Sequence, residues 1–286
     1  MVYFCADDYG ISKTSNDRIE YCLEHGALNK VSVLPNGEIT DFKSRLTGNK
    51  AKLSLHINLV EGYPLSPPSE ISLLVSDDGC FRYSFIGLFF LSLSGKRAEL
   101  EKQLYTEIRN QIAFWKKEIG EGVPLLLDSH QHTHMIPIVF KTLMKVIRDE
   151  KTEVEALRIP AEPISPYLLT PSLYAKYSIT GLVKQWLLKS LGFINARELK
   201  KSKINHAYFM GALFSGKITE DKIKKLLPRY LKMASKRGRD IEIALHPGYL
   251  GADEQLIVGN RTGFEKFYFS PWRNKEYETL LNFKFE

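Results

Sequence analysis

Four short apolar runs, residues 2–6, 51–55, 123–127 and 241–245, each end at a cluster of acids, amides or histidines. The clusters are Ala6-Asp7-Asp8-Tyr9-Gly10, Leu55-His56-Ile57-Asn58-Leu59, Asp128-Ser129-His130-Gln131-His132-Thr133-His134 and Leu245-His246-Pro247-Gly248-Tyr249. Together they hold five of the chain's seven histidines. Apolar runs of this length read as buried strands. Strands that alternate with longer helical patterns predict a parallel α/β sheet. Polar side chains at several strand ends favour a barrel over an open sheet, because a ring of strands aims those ends at one mouth.

The remaining pattern fits that class. Ser12 and its neighbours offer N-cap hydroxyls for a helix over 16–25, closed by Gly26. Residues 29–34 read as a second strand and 40–46 as a short helix. The periodicity of Leu100, Leu104, Ile108, Ile112 and Trp115 predicts an amphipathic helix over 98–119. Helices are expected over 138–148, 220–237 and 261–281, and strands near 157–160 and 206–209. Segments 66–94 and 163–203 break the alternation and read as insertions, the second covering the site. No linker splits the 286 residues, so a single domain over 1–286 is expected.

Composition narrows the partners. Three scattered cysteines, Cys5, Cys22 and Cys80, make neither a disulfide framework nor a thiolate metal site. The net charge is +7. No nucleic-acid-binding pattern accompanies it, so nucleic acid is not expected. A membrane surface, where apolar 85–93 and the Tyr- and Lys-rich 163–203 could meet it, is an alternative partner but not the expected one. A homodimer is left open. The chain enters a strand at once, without a basic-then-apolar leader, and the expected location is cytoplasmic.

Acids and imidazoles from distant strand ends are the donors of a metal hydrolase. In an extended strand Asp7 and Asp8 would face opposite sides, so both serve one site only if a turn follows the strand. One could then ligate a metal while the other acts as a base. The alternative is a helix-capping Asp. His130, His132 and His134 share a face in extended backbone, and His130 and His134 in helical backbone; His130, nearest the strand end, is the best ligand candidate. His56 is a ligand candidate or a structural histidine, and Asn58 would share its side. His246, before Pro247-Gly248, could protonate a leaving group. Arg158 could hold a catalytic carboxylate ionised, and Glu162 could bind substrate. No Gly-rich phosphate loop and no Gly-x-Ser-x-Gly elbow occurs.

These motifs, with Glu61-Gly62, Arg158-Ile159-Pro160 and the Arg273, Glu276, Glu278 tail, resemble the YdjC/ChbG-like carbohydrate deacetylases of the chito-oligosaccharide and HpnK type. They follow the family's order over nearly the whole chain. The resemblance implies a distorted TIM-like (β/α) barrel and a divalent-metal-dependent hydrolase that removes acetyl from an N-acetylated sugar. It implies Asp8, His56 and His130 as metal ligands, Asp7 as general base and His246 as general acid. Asn58, Glu61, His132, Arg158 and Glu162 are the expected substrate contacts. The implied cofactor is one divalent ion, Mg²⁺ by resemblance, while two imidazoles and a carboxylate also suit Zn²⁺. Tyr9 stands where the family more often has Phe. The rival readings are a carbohydrate-binding protein without catalysis and a peripheral membrane enzyme acting on a glycolipid.

Overall fold

The computed structural model describes residues 1–37, 39, 41–48, 51–249 and 265–284. Seven strands, β1 (Val2–Tyr9), β2 (Lys30–Val33), β3 (Lys52–Ile57), β4 (Leu125–Ser129), β5 (Val154–Leu157), β6 (Tyr208–Met210) and β7 (Ile241–Leu245), form one sheet. Its order is β5-β4-β3-β2-β1-β7-β6. Every pairing is parallel. The sheet curls into a half-barrel. Its edges, β5 and β6, are not paired with each other; a bridge from Ala156 to Asn205 spans part of the gap.

Helices surround this sheet. They are α1 (Lys13–His25), α2 (Phe42–Thr47), α3 (Phe85–Leu91), α4 (Arg97–Ile119) and α5 (Pro137–Asp149), followed by α6 (Ser165–Leu168), α7 (Ile179–Ser202), α8 (Glu220–Arg237), α9 (Glu265–Tyr268) and α10 (Trp272–Asn282). Most lie on its outside, with α3 and α7 beside a cavity at its strand ends. Local chemistry sets their ends. Ser12 caps α1, its hydroxyl accepting from the Ser15 amide. Glu220 and Asp221 open α8, Lys236 and Arg237 close it, and left-handed Gly238 (φ 59°) follows. The predicted stripe of α4, Leu100 to Trp115, is buried against the core. Central strands such as β4, buried at every residue, are covered on both faces, as parallel strands must be.

Several expectations change in detail, among them the strand expected near 157–160, which is β5 at Val154–Leu157. β1 does not stop at Ala6 but runs through both aspartates to Tyr9. Asp8 takes a left-handed φ of 69°, and the pairing register shifts between Ala6 and Tyr9. This kink lets two adjacent carboxylates in one strand serve one side, which regular pleating forbids. His56 and Asp128 likewise lie within their strands, not after them. The insertion at 66–94 contains α3. The one at 163–203 contains α6 and the 24-residue α7, which packs on α5 and on the turn after β4. The terminal helix expected over 261–281 is two helices, α9 and α10; residues 261–264 lie outside the described residues.

Candidate active site

The C-terminal ends of β1, β3, β4 and β7 deliver Asp7, Asp8, His56, His130 and His246 to one cavity of about 400 Å³. A larger hollow of about 920 Å³, between α7 and the edge strands, holds none of these five side chains. The chemistry therefore belongs to the smaller cavity.

Its floor is a buried charge layer. Arg158 donates from Nη1 to Asp7 Oδ2 at 2.7 Å and from Nη2 to Asp7 Oδ1 at 2.8 Å. Its Nε donates to Glu242 Oε1 at 2.6 Å, and Nη2 lies 3.3 Å from Asp128 Oδ2. Lys30 Nζ adds a second cation, 3.0 Å from Glu242. Burial alone would raise the Asp7 carboxyl, but Arg158, with His56 beside it, more than offsets that and holds the group below the ordinary carboxylate range. Asp7 is thus ionised, rigid and at the cavity wall.

Above this layer sits a three-residue donor set. Asp8 Oδ1 lies 2.9 Å from His130 Nδ1 and 3.6 Å from His56 Nε2. One ligand atom from each of the three lies within 4.8 Å of the others, and all three residues are buried. The far nitrogen of each ring is held by a carboxylate. His56 Nδ1 lies 2.5 Å from Asp128 Oδ1, and Asp128 Oδ2 accepts from Ser32 at 2.6 Å and Ser54 at 2.8 Å. His130 Nε2 lies 3.0 Å from Glu61 Oε2, which also accepts from the Tyr268 hydroxyl at 2.5 Å. Carboxylates behind imidazoles fix ring orientation and strengthen the rings as metal donors. Burial disfavours a charged His130, yet Glu61 and Asp8 push its pKa up to about 10. The pocket is built to hold positive charge, and its donor set fits a divalent cation.

His246 stands opposite. Its Nε2 is 4.0 Å from Asp7 Oδ2, and its Nδ1 is 3.5 Å from Glu276 Oε2. Glu276 also accepts the His246 backbone amide at 2.6 Å and the Ile218 amide at 2.8 Å, tying the end of β7 to α10. Arg273, one turn earlier on α10, donates to Asp8 Oδ2 at 3.1 Å.

The histidine run after β4 departs from both expected geometries. Gln131 and His132 are left-handed (φ 52° and 58°), so the chain coils tightly through His130–Met135. His130 and His132 reach the cavity. His134 turns away, its Nδ1 2.5 Å from the Ser129 hydroxyl and its Nε2 2.8 Å from the Arg158 carbonyl. His132 is buried with Nδ1 unpartnered and packs edge-on to Phe209. It is the one expected substrate contact found on the cavity wall.

The other four expected substrate contacts support the wall from behind. Asn58 Oδ1 accepts the amides of Val60 and Glu61, each at 3.1 Å, and its Nδ2 donates to the Glu61 carbonyl at 2.8 Å, so it shapes the turn that aims Glu61. Glu61 is spent on His130, Tyr268 and Gln131. Arg158 lies beneath Asp7. Glu162 accepts the amides of Gly211, Ala212 and Leu213 and the Tyr167 hydroxyl, which makes it an anchor for the segment after β6. With Gln185 Nε2 also 3.4 Å from Oε2, both Glu162 oxygens are engaged within the fold. Sequence reasoning missed the supporting roles of Asp128, Glu242, Lys30 and Tyr268. It also missed Lys184, which lines the cavity with its Nζ 2.9 Å from Ser215 Oγ.

Fold and site together define a class: α/β half-barrel proteins with an Asp-His-His centre at the strand ends and an arginine-held aspartate beside it. The sequence profile of the YdjC-like protein family matches residues 1–286, and the chain belongs to that family. Among curated relatives, a zebrafish (Danio rerio) protein named carbohydrate deacetylase is 31% identical over 160 residues, 55% of this chain and 49% of that one. The match thus spans about half the length of that relative. A solved structure from Enterococcus faecalis, provisionally described as a cellobiose-phosphate cleavage protein, superposes with a TM-score of 0.66 at 19% identity. It covers 98% of this chain and 90% of its own. At that identity the likeness speaks for the fold.

Proposed function

We propose that this chain is a divalent-metal-dependent hydrolase that removes the acetyl group from an N-acetylated sugar. The observation that carries the reading is Asp7. It is an ionised carboxylate held by Arg158, beside the Asp8-His56-His130 donor set and 4.0 Å from the His246 ring. A binding protein needs no such pair of proton-transfer groups.

Asp8, His56 and His130 would hold the ion. Bound there, a divalent cation would supply Lewis acidity, lowering the pKa of water and drawing charge from the acetyl oxygen. Asp7 Oδ2 accepts one proton from the attacking water, and the hydroxyl oxygen adds to the acetyl carbon. The carbon–nitrogen bond then breaks, its electron pair passing to nitrogen. Protonated His246 gives that nitrogen a proton, so acetic acid and a sugar amine leave, the acid passing its proton to the amine to end as acetate and ammonium. Arg158 keeps Asp7 ionised before the transfer, and Glu276 holds the His246 backbone in place. Phe85, Leu187 and Phe267 line the cavity as apolar walls that narrow water access.

The test is acetate release from a panel of N-acetylated sugars, with Mg²⁺ or Zn²⁺ supplied. Asp7→Asn is expected to lose about 10²–10⁴ in rate while still binding metal. Near-normal release by Asp7→Asn would remove the base assignment. No release by the metal-loaded wild type from any sugar in the panel would favour a carbohydrate-binding protein instead.

A further inference from the structure

We propose that the outer face of α7 is a docking surface for an anionic lipid bilayer, placed so that the cavity opens beside the membrane. Helical spacing aligns Ile179, Leu182, Val183, Trp186, Phe193 and Ile194 along one side of α7. That side faces solvent. Ile179 is 82% exposed, Trp186 71% and Phe193 84%, and no described residue packs over them. The same stripe continues into exposed Arg197, Lys200 and Lys201. An apolar stripe of this size left open to water marks an interaction surface.

Charge selects the occupant. Residues 163–203 contain seven Lys and Arg against the single acid Glu198, a net +6 of the chain's +7. Lys176 pairs with Asp221 and Lys201 with Glu198, while exposed Lys189 and Lys200 border the stripe. A second copy docked face to face would set this positive field against itself. An anionic bilayer complements it, with Trp186 and Phe193 entering the headgroup boundary and the lysines reaching phosphate. Among the described residues no helix is long and apolar enough to cross a membrane, so α7 would lie in the interface plane.

The surface adjoins the site. Lys184, Leu187 and Leu188 of α7 line the cavity, as does Phe85 of α3, whose Ile86 and Phe90 are also exposed. A substrate sugar carried on a membrane amphiphile would meet the cavity without leaving the bilayer; this last step alone rests on the deacetylase reading.

Sedimentation of the full chain with vesicles tests the proposal. Phosphatidylcholine vesicles are compared with and without phosphatidylglycerol, at low and high salt. Binding is expected to the anionic vesicles, weakened by salt, with a blue shift of Trp186 emission. Trp186→Ser with Phe193→Ser is expected to reduce partitioning about tenfold at unchanged circular dichroism, and Lys200→Glu with Lys201→Glu to remove the salt-sensitive part. No binding to anionic vesicles, or binding that both double variants retain, overturns the proposal. So does a dimer, in the absence of vesicle binding, that the aromatic variant dissociates, because it gives the face to a second copy. Acetate release from a water-soluble N-acetylated sugar, measured on the same variants, should be unchanged. That readout reports on the hydrolase reading separately.

Discussion

His134 shows how a residue in a catalytic-looking run can serve the fold. Burial lowers its pKa to about 4, outweighing the opposing pull of its bond to the Arg158 carbonyl, and the neutral ring is held between that carbonyl and Ser129. A histidine depressed in the folded state contributes stability above its unfolded pKa, and that contribution is lost as pH falls toward the folded value. Between about pH 6.5 and 4 the wild type should therefore lose about 3 kcal/mol relative to His134→Gln, read by urea unfolding at both pH values. Equal slopes for the two proteins would refute the assignment. Asp7 and Asp128 act in a separate window. Arg158 and His56 together overcome their burial and hold both below 3.8, so their contribution persists above that pH and disappears in stronger acid. The strand-end positions of Asp7, Asp8, His56, His130 and His246 were legible because each follows an apolar run. The aim of each side chain was not. One left-handed residue at Asp8 and two at Gln131 and His132 redirect the side chains that regular periodicity would place, and no local pattern announces them.

At the scale of elements, the site depends on joints between distant segments. Glu162 joins the chain after β5 to the backbone after β6 through three amides. Glu162→Ala would strand those donors in the interior, at about 1–3 kcal/mol each where water cannot reach them. The expected result is a clear fall in melting temperature with KM for the sugar unchanged in molecules still folded. A raised KM at unchanged melting temperature would restore Glu162 as a substrate contact. α10 is a second joint, since Arg273 reaches Asp8 while Glu276 reaches His246. Their spacing of three residues, which puts both on one helix face, was the available signal; which strands they meet is a tertiary fact. Gly248 is a third joint. A Cβ there would run into Ser15 Oγ at the start of α1, so Gly248→Ala should destabilise the protein by about 1–3 kcal/mol, measured by denaturant unfolding.

For the molecule as a whole, buried charge and stability are linked through the Asp8-His56-His130 centre. Carboxylates crowd the two imidazoles from behind, and a cation at the centre would relieve their mutual repulsion. Adding Mg²⁺ or Zn²⁺ at about 100 times its dissociation constant should raise stability by about 2.7 kcal/mol, and a chelator should reverse the gain. His130→Ala should abolish the response in a thermal melt, whereas an unchanged response would place the ion elsewhere. The parallel sheet and its order of helices were readable from apolar runs and amphipathic stripes. The incomplete curl was not, because closure depends on how seven strands stagger and tilt together. That incompleteness has an evolutionary corollary. Since β5 and β6 leave a seam bordered by α7, relatives could lengthen, shorten or recharge residues 163–203 without disturbing the hydrogen-bonded strands that carry the acids and imidazoles. Under the deacetylase reading, where such a protein works, and on what, could thus diversify at the seam while its reaction stayed fixed.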